Sequence, residues 1–136
     1  MTTRPWQGDE MPLPEMFDSI AAAGFDGVDI VYGDHPEAEL SRLLDRHGLA
    51  CTVTAFPTSV AALEPALQLA TALDARHLNI IGAVYPFSVG EGADYVRGWL
   101  EMCQRAGMAV TIETHRDCIT TDMLYTLQLM EAVPEM

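Results

Sequence analysis

The apolar positions of this chain switch repeatedly between helical spacing and short continuous runs. Near the amino terminus four of them recur three or four residues apart: Leu13, Met16, Phe17 and Ile20. This spacing predicts an amphipathic helix that begins near Pro12. The segment FDGVDIVYG follows and, being short and β-rich, predicts a strand. Gly24 lies between the two, where a helix end favours a left-handed glycine.

The same alternation repeats three times along the rest of the chain. Helices are predicted after Pro36, around Pro65 and over residues 96–103, and the strands LACTVTAF, LNIIGAV and MAVTIE follow them. A fifth helix is predicted from Thr120 or Thr121 to the residue before Pro134, with Asp122 complementing its dipole. Regular alternation of this kind is typical of repeated βα units around a parallel sheet.

Two α/β architectures fit this order, a doubly wound open sheet and a piece of a (β/α)8 TIM barrel. A complete barrel needs about 250 residues, and four units in 136 residues are about half of one. A polar segment stands where a first strand is expected, and the chain ends after Pro134 where another would begin. We therefore expect residues 1–136 to form a single partial barrel domain, about strands two to five with their helices, lacking strands six to eight. The strands are expected to be apolar on both faces.

Charge narrows the classes of partner. Twenty acidic residues face seven basic ones, for a net charge of −13. Such a surface repels phosphate backbones and anionic membranes, which argues against nucleic acid and membrane partners. Without a membrane-length apolar run, a signal peptide or a paired-cysteine motif, the chain is expected to be cytoplasmic. The unpaired edges of an incomplete sheet also predict association, for example as a homo-oligomer.

The candidate chemistry lies in VTIETHRDC, residues 110–118. Side chains two apart on a strand point the same way, so Glu113 and His115 are expected on one face with Thr111 beneath them. Functional groups of parallel sheets lie at the carboxyl ends of the strands. By itself, however, E-x-H fits a solvated strand end equally well.

Other candidates are expected near the same edge of the sheet. Asp29 lies near the end of the first predicted strand, where a substrate contact and a hydrogen-bonded structural role both fit. His35 lies in the loop after that strand, as a substrate contact or an exposed loop histidine. Asn79 is interpreted as a satisfied polar group inside the barrel. The loop over residues 82–95, with three glycines and exposed aromatics, is interpreted as a lid.

Four ordered segments carry a resemblance to a known family. AAGFDGVDI, HGLACTV, ARHLNIIG and AGMAVTIETHRD, the last followed by TTDMLYTLQLMEAVPEM, together resemble the sugar phosphate isomerase/epimerase family, with its xylose isomerase-like TIM barrel. The resemblance implies a divalent metal, Mn, Mg or Co, held by carboxylates and a histidine on strands five to eight. Glu113 matches the strand-five ligand and would be a catalytic acid/base, with His115 and Arg116 beside it contacting a sugar or sugar phosphate.

The implied reaction moves a proton next to a carbonyl through an enediolate. The other metal ligands would lie on strands that this chain lacks, so we expect the chain alone to hold no metal and to be inactive. A lyase or dehydratase of the same superfamily, acting on an inosose-type substrate, is an alternative. A non-catalytic α/β assembly or regulatory module is the alternative from another class.

Overall fold

The computed structural model describes residues 11–136. The described residues form five α-helices: α1 (Leu13–Ala22), α2 (Glu37–His47), α3 (Glu64–Ala72), α4 (Val89–Arg105) and α5 (Met123–Ala132). They also form four strands: β1 (Gly27–Val31), β2 (Ala50–Ala55), β3 (Leu78–Ile80) and β4 (Val110–Ile112). A short 3-10 helix, Ala61–Leu63, leads into α3. Within residues 11–136 no helix is both long and apolar enough to cross a membrane.

The four strands make one parallel sheet in the order β1-β2-β3-β4. Each strand pairs with its neighbour in the sequence, and a helix lies between every consecutive pair. The strand order never reverses, whereas reversal is the defining feature of doubly wound sheets. The prediction of alternating helices around a parallel sheet is confirmed.

The two faces of this sheet differ sharply, because side chains alternate along each strand. One face is apolar and buried, and its central members are Ile30, Cys51, Val53, Leu78 and Ile80. The other, which we call the open face, carries Asp29, Thr52, Thr54, Asn79 and Thr111, followed by Glu113 just past β4. Most of these side chains remain partly or fully exposed. The expectation that the strands are apolar on both faces was therefore wrong, since the β2 sequence alternates threonine with apolar residues.

The helices pack on the buried face and form the main core with it. Phe17 of α1, Leu43 of α2, Ala70 of α3 and Trp99 of α4 all belong to this core. Trp99 is completely buried and donates its indole N–H to the carbonyl of Ser59 at 3.1 Å. This bond holds α4 against the segment that follows β2.

Two helix boundaries differ from the predicted ones, both because of capping. Helix α4 begins at Val89, so half of the segment predicted as a lid is helical. Ser88 accepts the backbone N–H of Glu91 at 3.1 Å, and Glu91 accepts that of Phe87 at 2.9 Å. This S-x-x-E capping pattern was present in the sequence and was missed. Helix α5 begins at Met123, not at Thr120 or Thr121, because Asp122 is its N-cap and accepts the N–H of Tyr125 at 2.7 Å.

Gly82, the second residue after β3, allows the chain to pass close to Trp99. A Cβ at this position would lie 2.6 Å from the Trp99 ring and 2.9 Å from Ile119. We expect Gly82→Ala to lower the free energy of unfolding by about 1–3 kcal/mol, as overpacking does, measured by urea denaturation. Gly90→Ala is the control, since a Cβ there meets nothing closer than 3.8 Å. Equal stabilities for the two variants would contradict this packing.

Candidate functional site

A continuous set of hydrogen-bonded polar side chains crosses the open face from β1 to the end of β4. We call it the polar row: Asp29, Thr52, Thr54, Asn79, Thr111 and Glu113. Strand register brings these residues together, because Thr54 pairs with Asn79 and Asn79 with Thr111. The row therefore connects two of the sequence-predicted site residues, Asp29 and Glu113, which are 84 positions apart in the chain.

Asp29 forms one end of the polar row. Its carboxylate accepts the hydroxyl of Thr52 at 2.6 Å and that of Thr54 at 3.0 and 2.9 Å. The structure thus supports the hydrogen-bonded reading of Asp29 that the sequence left open. Thr52 and Thr54 were missed, although their spacing on β2 places both on the same face as Asp29.

Glu113 forms the other end of the row and lies on the open face, away from the helices. The backbone N–H of Glu113 bonds to the carbonyl of Ile80 at 2.9 Å, which continues the β4 ladder by one residue. Its side chain accepts a short hydrogen bond from Asn79 Nδ2 on Oε2. No partner for Oε1 is found among residues 11–136, and the side chain is exposed. Glu113 is thus a fixed carboxylate with one oxygen available to a ligand.

The chain turns after Glu113 through a loop held by Thr120. The Thr120 hydroxyl accepts the backbone N–H of His115 at 3.1 Å and donates to the carbonyl of Glu113 at 2.9 Å. Thr120 is buried, so these bonds are shielded from water. The sequence analysis predicted Thr120 as a possible helix start and missed this role. The loop that these bonds close has no local sequence pattern that predicts it.

His115 and Arg116 are exposed in this loop, beside Glu113 but without a side-chain contact to it. His115 Nδ1 lies 2.5 Å from the carbonyl of Arg116, and its ring meets Phe56 edge-on with centroids 6.5 Å apart. Phe56 follows β2 at the same edge of the sheet. No ion pair within residues 11–136 involves Arg116, which leaves its guanidinium available to an anion.

His35 is exposed in the loop after β1, on the α1 side. It lines a surface pocket with Met11, Met16 and Asp34, and a second pocket that Asp29 also lines. The hydrogen bonds that join the polar row do not extend to His35. The substrate contact expected for His35 stays a prediction.

The segment 82–88 is shorter and better anchored than the lid expected from the sequence. The Tyr85 hydroxyl donates to the carbonyl of Asp117 at 2.6 Å, and the backbone N–H of Ile119 bonds to the carbonyl of Gly82 at 2.9 Å. These bonds tie the loop after β3 to the loop after β4. Phe87, fully exposed, is the one large side chain in this segment that projects freely.

The three cysteines are free and buried, and none lies in the polar row. Burial raises the pKa of the Cys103 thiol to about 11. Burial, together with the negative charges of Asp74 and Asp29, also raises the pKa of Cys51. The Cys118 thiol donates to the carbonyl of His115. A thiolate nucleophile at neutral pH is therefore disfavoured for Cys51 and Cys103.

Carboxylates and histidines do not gather into a metal site within the described part of the chain: residues 11–136 contain no group of three or more potential ligands. Asp29 and Glu113 are separated by the uncharged residues of the row. Glu113 could supply one ligand, and the remaining ligands would have to come from elsewhere.

Comparison with known proteins leaves the family open. No family model matches this chain, and no curated protein matches it significantly.

Thr54 is the buried centre of the polar row, because its hydroxyl donates to Asp29 and accepts from Asn79 at 3.3 Å. We expect Thr54→Val, which keeps the shape, to lower the free energy of unfolding by about 1–2 kcal/mol, because it removes the hydrogen bonds to Asp29 and Asn79. Thr58→Val is the matched control, since Thr58 is exposed and makes no side-chain hydrogen bond within the described residues. Thermal unfolding of both variants checks this, and equal melting temperatures would refute it.

Proposed function

We propose that this chain is the amino-terminal part of a (β/α)8 barrel, about strands two to five, of a divalent-metal-dependent sugar or sugar phosphate isomerase or epimerase. The observation that carries the proposal is Glu113, an anchored carboxylate on the open face at the carboxyl end of a parallel strand. The order β1-β2-β3-β4, with the buried core on one face only, supports a barrel wall over a doubly wound sheet. The resemblance of the four sequence segments supports the family.

Glu113 is the proposed acid/base group. A carboxylate held on one oxygen keeps the other free to take a proton from the carbon next to a carbonyl and to return it. Return of the proton to the neighbouring carbon gives isomerisation, whereas epimerisation would need a second acid/base group on the opposite face of the substrate, because Glu113 reaches one face only. A dehydratase or lyase acting on an inosose-type substrate would begin with the same proton abstraction, so this geometry serves it equally.

The other residues at this edge have proposed roles in binding. Arg116 is exposed beside Glu113 and suits a phosphate or a polar substrate group. His115, packed edge-on against Phe56, would donate to or accept from a substrate hydroxyl. Asp29, already bonded to two threonines, would act by holding the row in place more than by direct contact.

A divalent ion, Mn, Mg or Co, is the proposed cofactor, and it would polarise the substrate carbonyl. The described residues fit it only in part, since Glu113 is a single carboxylate and no cluster of ligands surrounds it. The ion would therefore need ligands from further strands, and we derive no reaction step through it.

Mn²⁺ titration tests the role of Glu113 in a longer form of the protein that carries the remaining strands, because this chain alone is expected not to hold the ion. Even weak binding at Glu113 would broaden the amide NMR signals of residues 111–115 selectively, because Mn²⁺ relaxes nearby nuclei. We expect Glu113→Gln to abolish this broadening. Glu101→Gln, which removes the same charge from the exposed surface of α4, should leave it unchanged.

Broadening that is spread over the acidic surface, or that survives in Glu113→Gln, would overturn the metal assignment. In a longer form of the protein that carries the remaining strands, Glu113→Gln should also abolish turnover. Full activity of that variant would remove Glu113 from catalysis.

A second candidate function, a non-catalytic assembly module, is favoured by one face of α5. Four large apolar side chains lie on it and are strongly exposed: Met123 (73%), Leu124 (66%), Leu127 (52%) and Met130 (48%). Helices with apolar residues on all sides are normally buried. Strand β4, which precedes α5, is also an edge strand with free backbone groups. Together they would suit association through this side of the molecule, including homo-oligomer formation.

The oligomeric state distinguishes this candidate. We expect an assembly module to elute as a dimer or larger species in size-exclusion chromatography, with and without Mn²⁺, because the α5 face would be buried between copies. Leu124→Gln combined with Leu127→Gln should shift it to the monomer, and Ala62→Gln, on an exposed site elsewhere, should not. A wild-type chain that stays monomeric up to about 1 mM, where contacts of about 4 kcal/mol are still detected, would remove the self-assembly reading.

A further inference from the structure

One amide side chain of the polar row, Asn79, bonds to three other members of the row. Its Nδ2 donates to Oε2 of Glu113 and to the hydroxyl of Thr54, the latter at 3.3 Å. Its Oδ1 accepts the hydroxyl of Thr111 at 3.0 Å. Both N–H groups of the amide and one of its two acceptor positions are thus occupied by side chains of the two neighbouring strands, β2 and β4, and of the residue just past β4.

The direction of these bonds follows from the two carboxylates at the ends of the row. An ionised carboxylate only accepts, so Glu113 requires a donor from Asn79, and Asp29 requires donors from Thr52 and Thr54. The Thr54 hydroxyl donates its proton to Asp29, so it must accept the hydrogen bond from Asn79. Rotating the Asn79 amide by 180° would place its oxygen against Glu113 and its N–H groups near Thr111. The network therefore permits one orientation of the amide.

We propose that Asn79 is a positioning residue, which holds Oε2 of Glu113 and presents Oε1 to the ligand at the carboxyl end of the sheet. This inference rests on the proposed function, in which Glu113 is a metal ligand and an acid/base group. A carboxylate that rotates freely must be ordered when it binds a ligand, which weakens binding. A hydrogen-bonded carboxylate is already held in the binding orientation. Through Thr54 the same amide ties Glu113 to Asp29, so both ends of the row share one rigid frame.

Asn79 is half-buried, whereas Glu113 and Thr111 are exposed. A residue that served packing alone would make its contacts through the buried face of β3, where Leu78 and Ile80 lie. Asn79 points to the opposite face, and within residues 11–136 its side chain forms hydrogen bonds to polar side chains of the row alone. The contacts of Asn79 therefore depend on the hydrogen bonds of its amide more than on the volume of its side chain.

The chain contains a single asparagine, which makes a direct test possible. Labelling with ¹⁵N-asparagine gives one side-chain amide signal pair, that of Asn79. We expect its two protons to be well separated in chemical shift, because one N–H group meets the Glu113 carboxylate and the other the Thr54 hydroxyl. Glu113→Ala removes the carboxylate acceptor and should move the pair strongly, whereas Glu101→Ala should leave it in place. A pair that Glu113→Ala leaves unchanged overturns the positioning role.

The second measurement asks whether the bond matters for binding. In the longer form of the protein we expect Asn79→Ala to weaken Mn²⁺ binding at Glu113 about tenfold or more, as removal of a ligand's hydrogen-bond partner does, read from the broadening of the Glu113 amide. Thr111→Val removes the partner of Oδ1 but leaves both amide donors, so it should change the affinity less than threefold, on the order of 0.6 kcal/mol. A merely structural role would affect both variants alike.

The outcomes separate this inference from the proposed function. Mn²⁺ broadening that Asn79→Ala leaves unchanged overturns the positioning role and leaves Glu113 as a ligand. Absence of broadening at Glu113 in the longer wild-type form overturns the metal assignment, and this inference with it. Should Asn79→Ala fail to fold, comparison of the Asn79 amide signals of the wild type and of Glu113→Ala decides the question without it.

Discussion

The in-register parallel pairing of β2, β3 and β4 is the constraint on which the rest of this structure depends. It aligns Thr54 with Asn79 and Asn79 with Thr111 on one face, and Val53 with Leu78 and Leu78 with Val110 on the other. A slip of one residue in any strand would exchange the two sets, sending hydroxyl and amide groups into the core and leucines to the surface. Core packing and the polar row therefore enforce the same register. Core packing and the polar row together fix the strand register more firmly than a single contact would.

The open face combines a rigid base with exposed groups at its carboxyl edge. Thr52, Thr54 and Asn79 are at least half-buried and bonded to one another or to the carboxylates, whereas Glu113, His115 and Arg116 are exposed. Such a division suits a binding site, because the supporting bonds fix the geometry while the outer groups remain free for a ligand. It also explains how a chain with a net charge of −13 tolerates two carboxylates on one face. Each accepts hydrogen bonds, and an uncharged amide separates them.

The same architecture leaves surfaces that a closed fold would cover. Among residues 11–136, β1 and β4 are the edge strands of the sheet, and α5 exposes a face of methionines and leucines. Either a further βα unit of a barrel or a second protein would cover these surfaces. In both cases a strand would pair with the sheet edge and a helix would pack on the apolar face. The enzyme and assembly readings thus share one structural cause. In the enzyme proposal the polar row takes part in the function, whereas in the assembly proposal it does not.

Local sequence determined the elements, since each follows from spacing and capping within a few residues. Helix α2 followed from the spacing of Leu40, Leu43 and Leu44, and it ended at left-handed Gly48. The apolar runs marked where the strands lie along the chain. Glu113 could be singled out because a carboxylate ending an apolar run is a local signal. The start of α4 was also encoded, in Ser88 and Glu91, and was simply missed. Tertiary structure alone decided that Thr120 closes the loop around His115 and that the hydrogen bonds of the row do not reach His35. It also decided that Asn79 joins Glu113 to Thr54, because strand register, which no local pattern specifies, brings residues from different strands within reach.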